Sequence, residues 1–183
     1  MEHVIKALWT TFQGTEGIEL KVLPHQGFKD LEKSAPRKLA AWANSNARFL
    51  ILRDNDNADC VERKARLLNL VSRYPAASRC KIRIVCQELE AWFLGDLNAL
   101  RRSGLMATTF NAGQTTVPYR DPDGISEPVA KLDRCTKRDV EVARQKRTVA
   151  ASIAPHLNPD DNASESFRQT VAALRGFIEE LAV

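Results

Sequence analysis

Apolar positions along this chain change period several times, and each change marks an element. Val4, Ile5, Leu8 and Phe12 share one face at helical spacing, so residues 3–12 read as an amphipathic helix. Gln13 to Gly17 is a loop. Ile18, Leu20 and Val22 then alternate with Glu19 and Lys21, the period of a half-buried strand. Helical spacing returns at Phe28, Leu31, Ala35, Leu39 and Trp42. Pro36 is expected to open a second helical piece there, because proline lacks the amide that an interior turn needs. Phe49-Leu50-Ile51-Leu52 is uninterrupted, the mark of a strand covered on both faces, and it stops abruptly at Arg53-Asp54-Asn55-Asp56. Asp59 with Glu62 is a capping-box pattern, opening a helix with Val61, Ala65, Leu68 and Val71 expected inside. Ile82 to Cys86 is a further short strand ending at Gln87-Glu88. A helix follows it, with Leu89, Trp92, Phe93, Leu97 and Leu100 on its buried face. Residues 103–126 gather glycine, threonine and proline and read as a long loop. Helices are expected at roughly 139–154 and 164–181, the last opened by Asn162 and Glu165 as a capping box.

Strand, helix, strand, helix is the α/β alternation. The expected fold is a small, mostly parallel sheet flanked by helices, with a C-terminal helical segment. Residues 1–102 would form the α/β core, and 103–183 a loop and helical extension packed on it within a single domain. The ligand-binding edge of such a sheet lies at the carboxyl ends of its strands. That rule singles out the polar residues at which each apolar run stops.

Composition changes this picture little. Apolar residues are 44% and charged residues 27%, ordinary for a globular chain of 183 residues. No run approaches the roughly 18 apolar residues of a membrane span, and the opening segment lacks the pattern of a secretory signal. Four cysteines, Cys60, Cys80, Cys86 and Cys135, show no C-x-x-C spacing. Cys60 and Cys86 sit in apolar-rich segments as buried thiols do, and reduced cysteines in a cytoplasmic protein are the default expectation.

Charge is more informative, because it is unevenly placed. The chain carries a net +4, and the segment 134–147 alone, with six basic residues against two acidic ones, carries the same +4. Arg144, Lys146 and Arg147 are its candidate nucleic-acid contacts; the plain alternative is a solvated helix face. Acidic residues gather elsewhere. Asp54-x-Asp56 follows the first apolar strand, with Asp59 nearby, and Glu88-x-Glu90 follows the second. Magnesium takes one or two carboxylates together with water and substrate phosphates, so Asp54, Asp56 and Glu88 are candidate catalytic and metal residues, with Glu90 as a further ligand. Each has a structural alternative. Asp and Asn make turns and helix caps, which suits Asp59 well, and Glu90 would favour a helix dipole in a first turn. Gly14-Thr15-Glu16 resembles a nuclease opening but precedes the Ile18 strand, on the opposite edge, and is set aside. His3, His25 and His156 share no ligand spacing, and no Walker loop, G-x-G-x-x-G or Ser/His/Asp arrangement is present.

The ordered set PHQGFKDLEKS, RFLILRDNDNADC, RIVCQELEAWFLGD, RDPDGI and IAPHLNPDDNASESF resembles the bacterial family catalogued as domain of unknown function 4276, over nearly the whole chain. The resemblance implies a Toprim-like protein. Toprim is the metal-binding α/β fold of topoisomerases, primases and certain defence nucleases, and family members often accompany ATPases. Carried onto this chain, Asp54 and Asp56 match the family's Asp-x-Asp, and Glu88 or Glu90 its further acid. The implied activity is Mg2+-dependent (or Mn2+-dependent) phosphoryl transfer, as a nuclease in bacterial defence or DNA transactions. The alternative is a non-catalytic scaffold subunit that binds a partner ATPase. One departure stands out: the family's usual opening strand ending in Glu-Glu is missing, and the chain begins with Met1-Glu2 directly in the helix. The expectation is therefore an upstream extension supplying that strand, and a homodimer or aggregating chain without it.

Overall fold

The computed structural model describes residues 1–110 and 119–182. Residues 111–118, inside the long loop expected at 103–126, lie outside that description. Element order is α1 (Glu2–Thr11), α2 (Phe28–Ala41), β1 (Phe49–Asp54), α3 (Cys60–Val71), β2 (Cys80–Val85), α4 (Glu90–Leu94), α5 (Leu97–Arg102), α6 (Pro128–Cys135), α7 (Val142–Ile153) and α8 (Glu165–Leu181). The fold is mixed α/β: a two-stranded parallel sheet flanked by helices, with a long C-terminal helix. β1 and β2 pair from Phe49 opposite Cys80 to Asp54 opposite Val85, joined through α3. Among the described residues no helix is long and apolar enough to cross a membrane.

The sheet separates two cores. On one side Ile51, Ile82 and Ile84 pack with Leu31 and Leu39 of α2 and with Leu67 and Val71 of α3. On the other, Leu50, Leu52 and Val85 meet a larger cluster built from Val4, Leu8, Trp92, Phe93, Leu132, Ile153 and Phe167. The uninterrupted run of β1 thus has apolar neighbours on both faces, as its sequence implied. β2 alternates instead: Lys81 and Arg83 turn toward α8, where Lys81 lies over the Phe177 ring and Arg83 donates to the Gln169 carbonyl. Their aliphatic stems cover the apolar face while their charges reach polar partners.

Several elements differ from expectation. Ile18–Val22 is not a strand. Its apolar residues are half-buried against the larger core, yet the segment forms no ladder. Alternation reports which side chains face the core; only a pairing partner makes a strand. The ground for setting aside Gly14–Glu16 goes with it. Those residues lie in the loop after α1, where a Cβ on Gly14 would come within 3.4 Å of Ile178. Pro36 does not open a new helix but sits buried inside α2. α3 is rotated from the expected face: Asp59 caps it through Glu62 N at 2.8 Å, as expected, but Leu67 and Val71 are buried while Val61 and Leu68 are exposed. The single helix expected after Glu88 is broken into α4 and α5 at Gly95-Asp96. A Cβ on Gly95 would collide with Asn162 Oδ1, and Asp96 caps α5 by accepting from Ala99 N at 2.8 Å. α6 was not anticipated. The cap of α8 is Ser164, which accepts from Phe167 N, while Asn162 instead donates to the Trp92 carbonyl and accepts from Ser164 N.

Candidate functional site

The parallel register brings both acidic groups to one edge. Asp54 is the last residue of β1, and the ladder continues past it through the Asn55 amide, which donates to the Val85 carbonyl at 3.1 Å. Beyond that bond both chains turn sharply. Asp56 and Asn57 adopt φ of 51° and 60°, and Gln87 adopts 63°. Aspartate and asparagine take this left-handed conformation readily in turns, so Gln87 is the residue that bears strain, about 1 kcal/mol or more. The turns bend Asp56 back beside Asp54 and aim Glu88 and Glu90 toward the same space.

The electrostatics record that convergence. The Asp54 carboxyl is pushed up to about 7 by burial and then by Asp56, Glu90 and Glu88, with the Met1 amino group pulling the other way. One of its oxygens, Oδ1, is buried without a hydrogen-bond partner. Glu90, only 3% exposed, is also raised, by burial first and with Lys146 opposing. A cation answers from α7. Lys146 Nζ lies 2.5 Å from Glu88 Oε2 and 3.7 Å from Glu90 Oε1. Burial pulls its pKa down, but Glu88, Glu90 and Asp54 outweigh that and raise it. The helix bends immediately before it, at Gln145 (φ −112°, ψ 22°).

A model of the family described as "Domain of unknown function (DUF4276)" matches residues 2–175. The chain is a DUF4276 protein. No curated protein and no solved structure matches it.

In this DUF4276 protein the four acids singled out in the sequence, Asp54, Asp56, Glu88 and Glu90, lie at one sheet edge. Among the described residues no three His, Cys, Asp or Glu side chains stand as a ready metal-holding group. The three basic candidates do not act together. Lys146 faces the carboxylates, Arg144 pairs with Glu141 at 2.7 Å, and Arg147 is exposed.

Three features escaped the sequence reading. Lys146 looked like one more charge in a basic run, and its spacing carried no sign of its partner 58 residues away. Asp123, in the RDPDG stretch, accepts from Ser164 Oγ at 2.6 Å, Ser166 N at 2.7 Å and Ser166 Oγ at 3.1 Å. Ser166 Oγ in turn accepts from Trp92 Nε1 at 2.8 Å, so one carboxylate ties the loop before α6 to α4 and to the start of α8. No local pattern marked this role, because Ser164 lies 41 residues from Asp123 in the sequence. Lastly, Arg53 is 4% exposed, bonded to Glu32 at 2.8 Å and stacked over Phe28 at 4.7 Å, inside the smaller core.

Proposed function

We propose that the acidic edge binds a divalent cation, Mg2+ or Mn2+, and serves phosphoryl transfer on nucleic acid as a cytoplasmic bacterial nuclease. The observation that carries this reading is the meeting of Asp54, Asp56, Glu88 and Glu90 at adjacent carboxyl ends of parallel strands, with Asp54 Oδ1 buried and unpartnered. An all-carboxylate donor set suits a hard cation. Asp54, Glu88 and Glu90 would hold it, with Asp56 beside them and Lys146 moving aside toward substrate. Such a cation supplies Lewis acidity at a phosphoryl oxygen and lowers the pKa of water. Lys146 is placed to meet a phosphate once released from Glu88, and the cations of 134–147 would face the backbone.

Manganese or magnesium titration followed by thermal melting tests it. A ligand that binds the folded state alone stabilises it by about 2.7 kcal/mol at a hundredfold excess over Kd. For a chain of this size that raises Tm by roughly 5–10 °C. Asp54→Asn with Asp56→Asn is expected to abolish both the rise and any metal-dependent nicking of supercoiled plasmid. A wild-type Tm that ignores both metals, or a variant that responds as the wild type does, would remove the metal reading. The second reading, a scaffold subunit docking on an ATPase, is favoured by Lys146, which already gives Glu88 and Glu90 a cation from the chain itself.

A further inference from the structure

Cys60 and Cys86 belong to different elements and meet beside the acidic edge, Sγ to Sγ at 3.0 Å. Cys60 is the first residue of α3, and Cys86 follows the last residue of β2. Both are free and partly exposed. Asn55, set between Asp54 and Asp56 and 2% exposed, donates from Nδ2 to Cys60 Sγ at 3.1 Å and to the Ala58 carbonyl at 2.7 Å. Its own Oδ1 is buried without a partner. The two thiols, the amide and the two strand ends form one packed unit.

We infer that Cys60 and Cys86 are a modification site, forming a reversible intramolecular disulfide when the protein meets a peroxide. A disulfide needs its sulfurs at about 2.0 Å, so closure asks for a movement of about 1 Å, within reach of side-chain torsions. The two sulfurs have distinct surroundings. Cys60 receives the Asn55 hydrogen bond and opens a helix of 12 residues, surroundings that suit an attacking sulfur. Cys86, its sulfur 3.0 Å away just past the end of β2, is the thiol within reach to resolve an oxidised Cys60.

In the first step Cys60 sulfur attacks one peroxide oxygen and the O–O bond breaks. Water leaves, and Cys60 becomes a sulfenic acid. In the second, Cys86 sulfur attacks Cys60 sulfur, the S–O bond breaks, and a second water leaves. Two thiols lose two hydrogens, and one peroxide is reduced to two waters. A dithiol reductant reverses the change. The bridge fastens the start of α3 to the end of β2, and so fixes the spacing of the strand ends that carry Asp54 and Glu88. The remaining thiols are placed elsewhere: Cys80 begins β2 at the opposite end of the sheet, and Cys135 is buried against the Tyr119 hydroxyl at 3.2 Å.

The test treats the folded full chain with hydrogen peroxide and maps its peptides by mass spectrometry under non-reducing conditions. The expected product is a Cys60–Cys86 linked peptide pair, two hydrogens lighter than the sum of its parts and released by dithiothreitol. Cys86→Ser is expected to stop the reaction at the sulfenic acid, trapped on Cys60 by dimedone, whereas Cys60→Ser leaves Cys86 unlabelled. A bridge between any other pair, a link between two chains, or dimedone on Cys86 first would overturn the inference. So would full alkylation of both thiols after peroxide. The readout is a mass and does not depend on whether the acidic edge holds a metal.

Discussion

Asp54 carries a testable sign. Its carboxyl lies at about 7 in the folded protein against an ordinary 3.8, so the folded state holds the proton more tightly than the unfolded chain does. The stability this gives is full below about pH 4 and is lost as pH rises through 7. It amounts to at most about 4 kcal/mol, since each tenfold gain in proton affinity is worth about 1.4 kcal/mol. The groups facing it are Asp56, Glu88 and Glu90, which oppose ionisation, and Lys146 and the Met1 amino group, which favour it. Asp54→Asn keeps the shape and removes the charge. Metal-free melts from about pH 4.5 to 8.5 are expected to show the variant gaining on the wild type as pH rises, with some slope left because Glu90 is raised as well. Parallel curves would mean that Asp54 ionises freely in the folded state. Lys146→Gln should act in the opposite direction without metal. It strips Glu88 and Glu90 of their cation and is expected to lower stability by about 1 kcal/mol, given how exposed the ammonium is. With manganese present it should enlarge the metal-induced rise in Tm, because the competing charge has gone. A rise no larger than that of the wild type would show that Lys146 and the metal do not share a site.

At the scale of elements, α3 shows what a helical pattern can and cannot say. Val61, Ala65, Leu68 and Val71 describe one apolar stripe, and Cys60, Leu67, Leu70 and Val71 describe another about a quarter-turn away. The Asp59 cap was legible because it is local: one side chain, one amide, three residues apart. Rotation about the axis was not, since it depends on where Leu31, Ile82 and Ile84 lie. Leu67→Ala is expected to cost about 2–5 kcal/mol in urea unfolding, as buried leucines do. Leu68→Ala should stay within about 0.5 kcal/mol, as exposed substitutions do. Equal costs would restore the other face. The α4–α5 break teaches the same lesson from the opposite side. Apolar periodicity runs on through Gly95; the helix ends where Asp96 leaves helical backbone to cap α5, while Asn162, from a distant loop, takes the Trp92 carbonyl and leaves room only for glycine at 95.

For the whole molecule, the basic segment is the part whose role depends most on the fold. Binding of duplex DNA there predicts a salt dependence of about −0.9 in log K per log salt for each phosphate neutralised. Arg147→Gln should flatten that slope by about one phosphate, and Lys146→Gln should do so only with metal present, once the ammonium is released from Glu88. Absence of binding even at low salt would make the segment a solvated face. Much of the arrangement was written in the chain. The two strands, their order with α3 between them and the acids at their carboxyl ends follow from apolar run lengths and from the residues that end them, all signals within a few positions. The acidic edge then follows from parallel pairing, which sends Asp54 and Glu88 the same way. What only the tertiary structure decided are the properties that depend on neighbours distant in the sequence. Ile18–Val22 lacks a ladder because, among the described residues, no strand comes alongside it, although its alternation is genuine. Lys146 counts as a site residue rather than a surface charge because α7 bends beside Glu88. Asp54 holds its proton to about pH 7 because three other carboxylates and a dry surrounding meet it there, and no window of sequence contains them together.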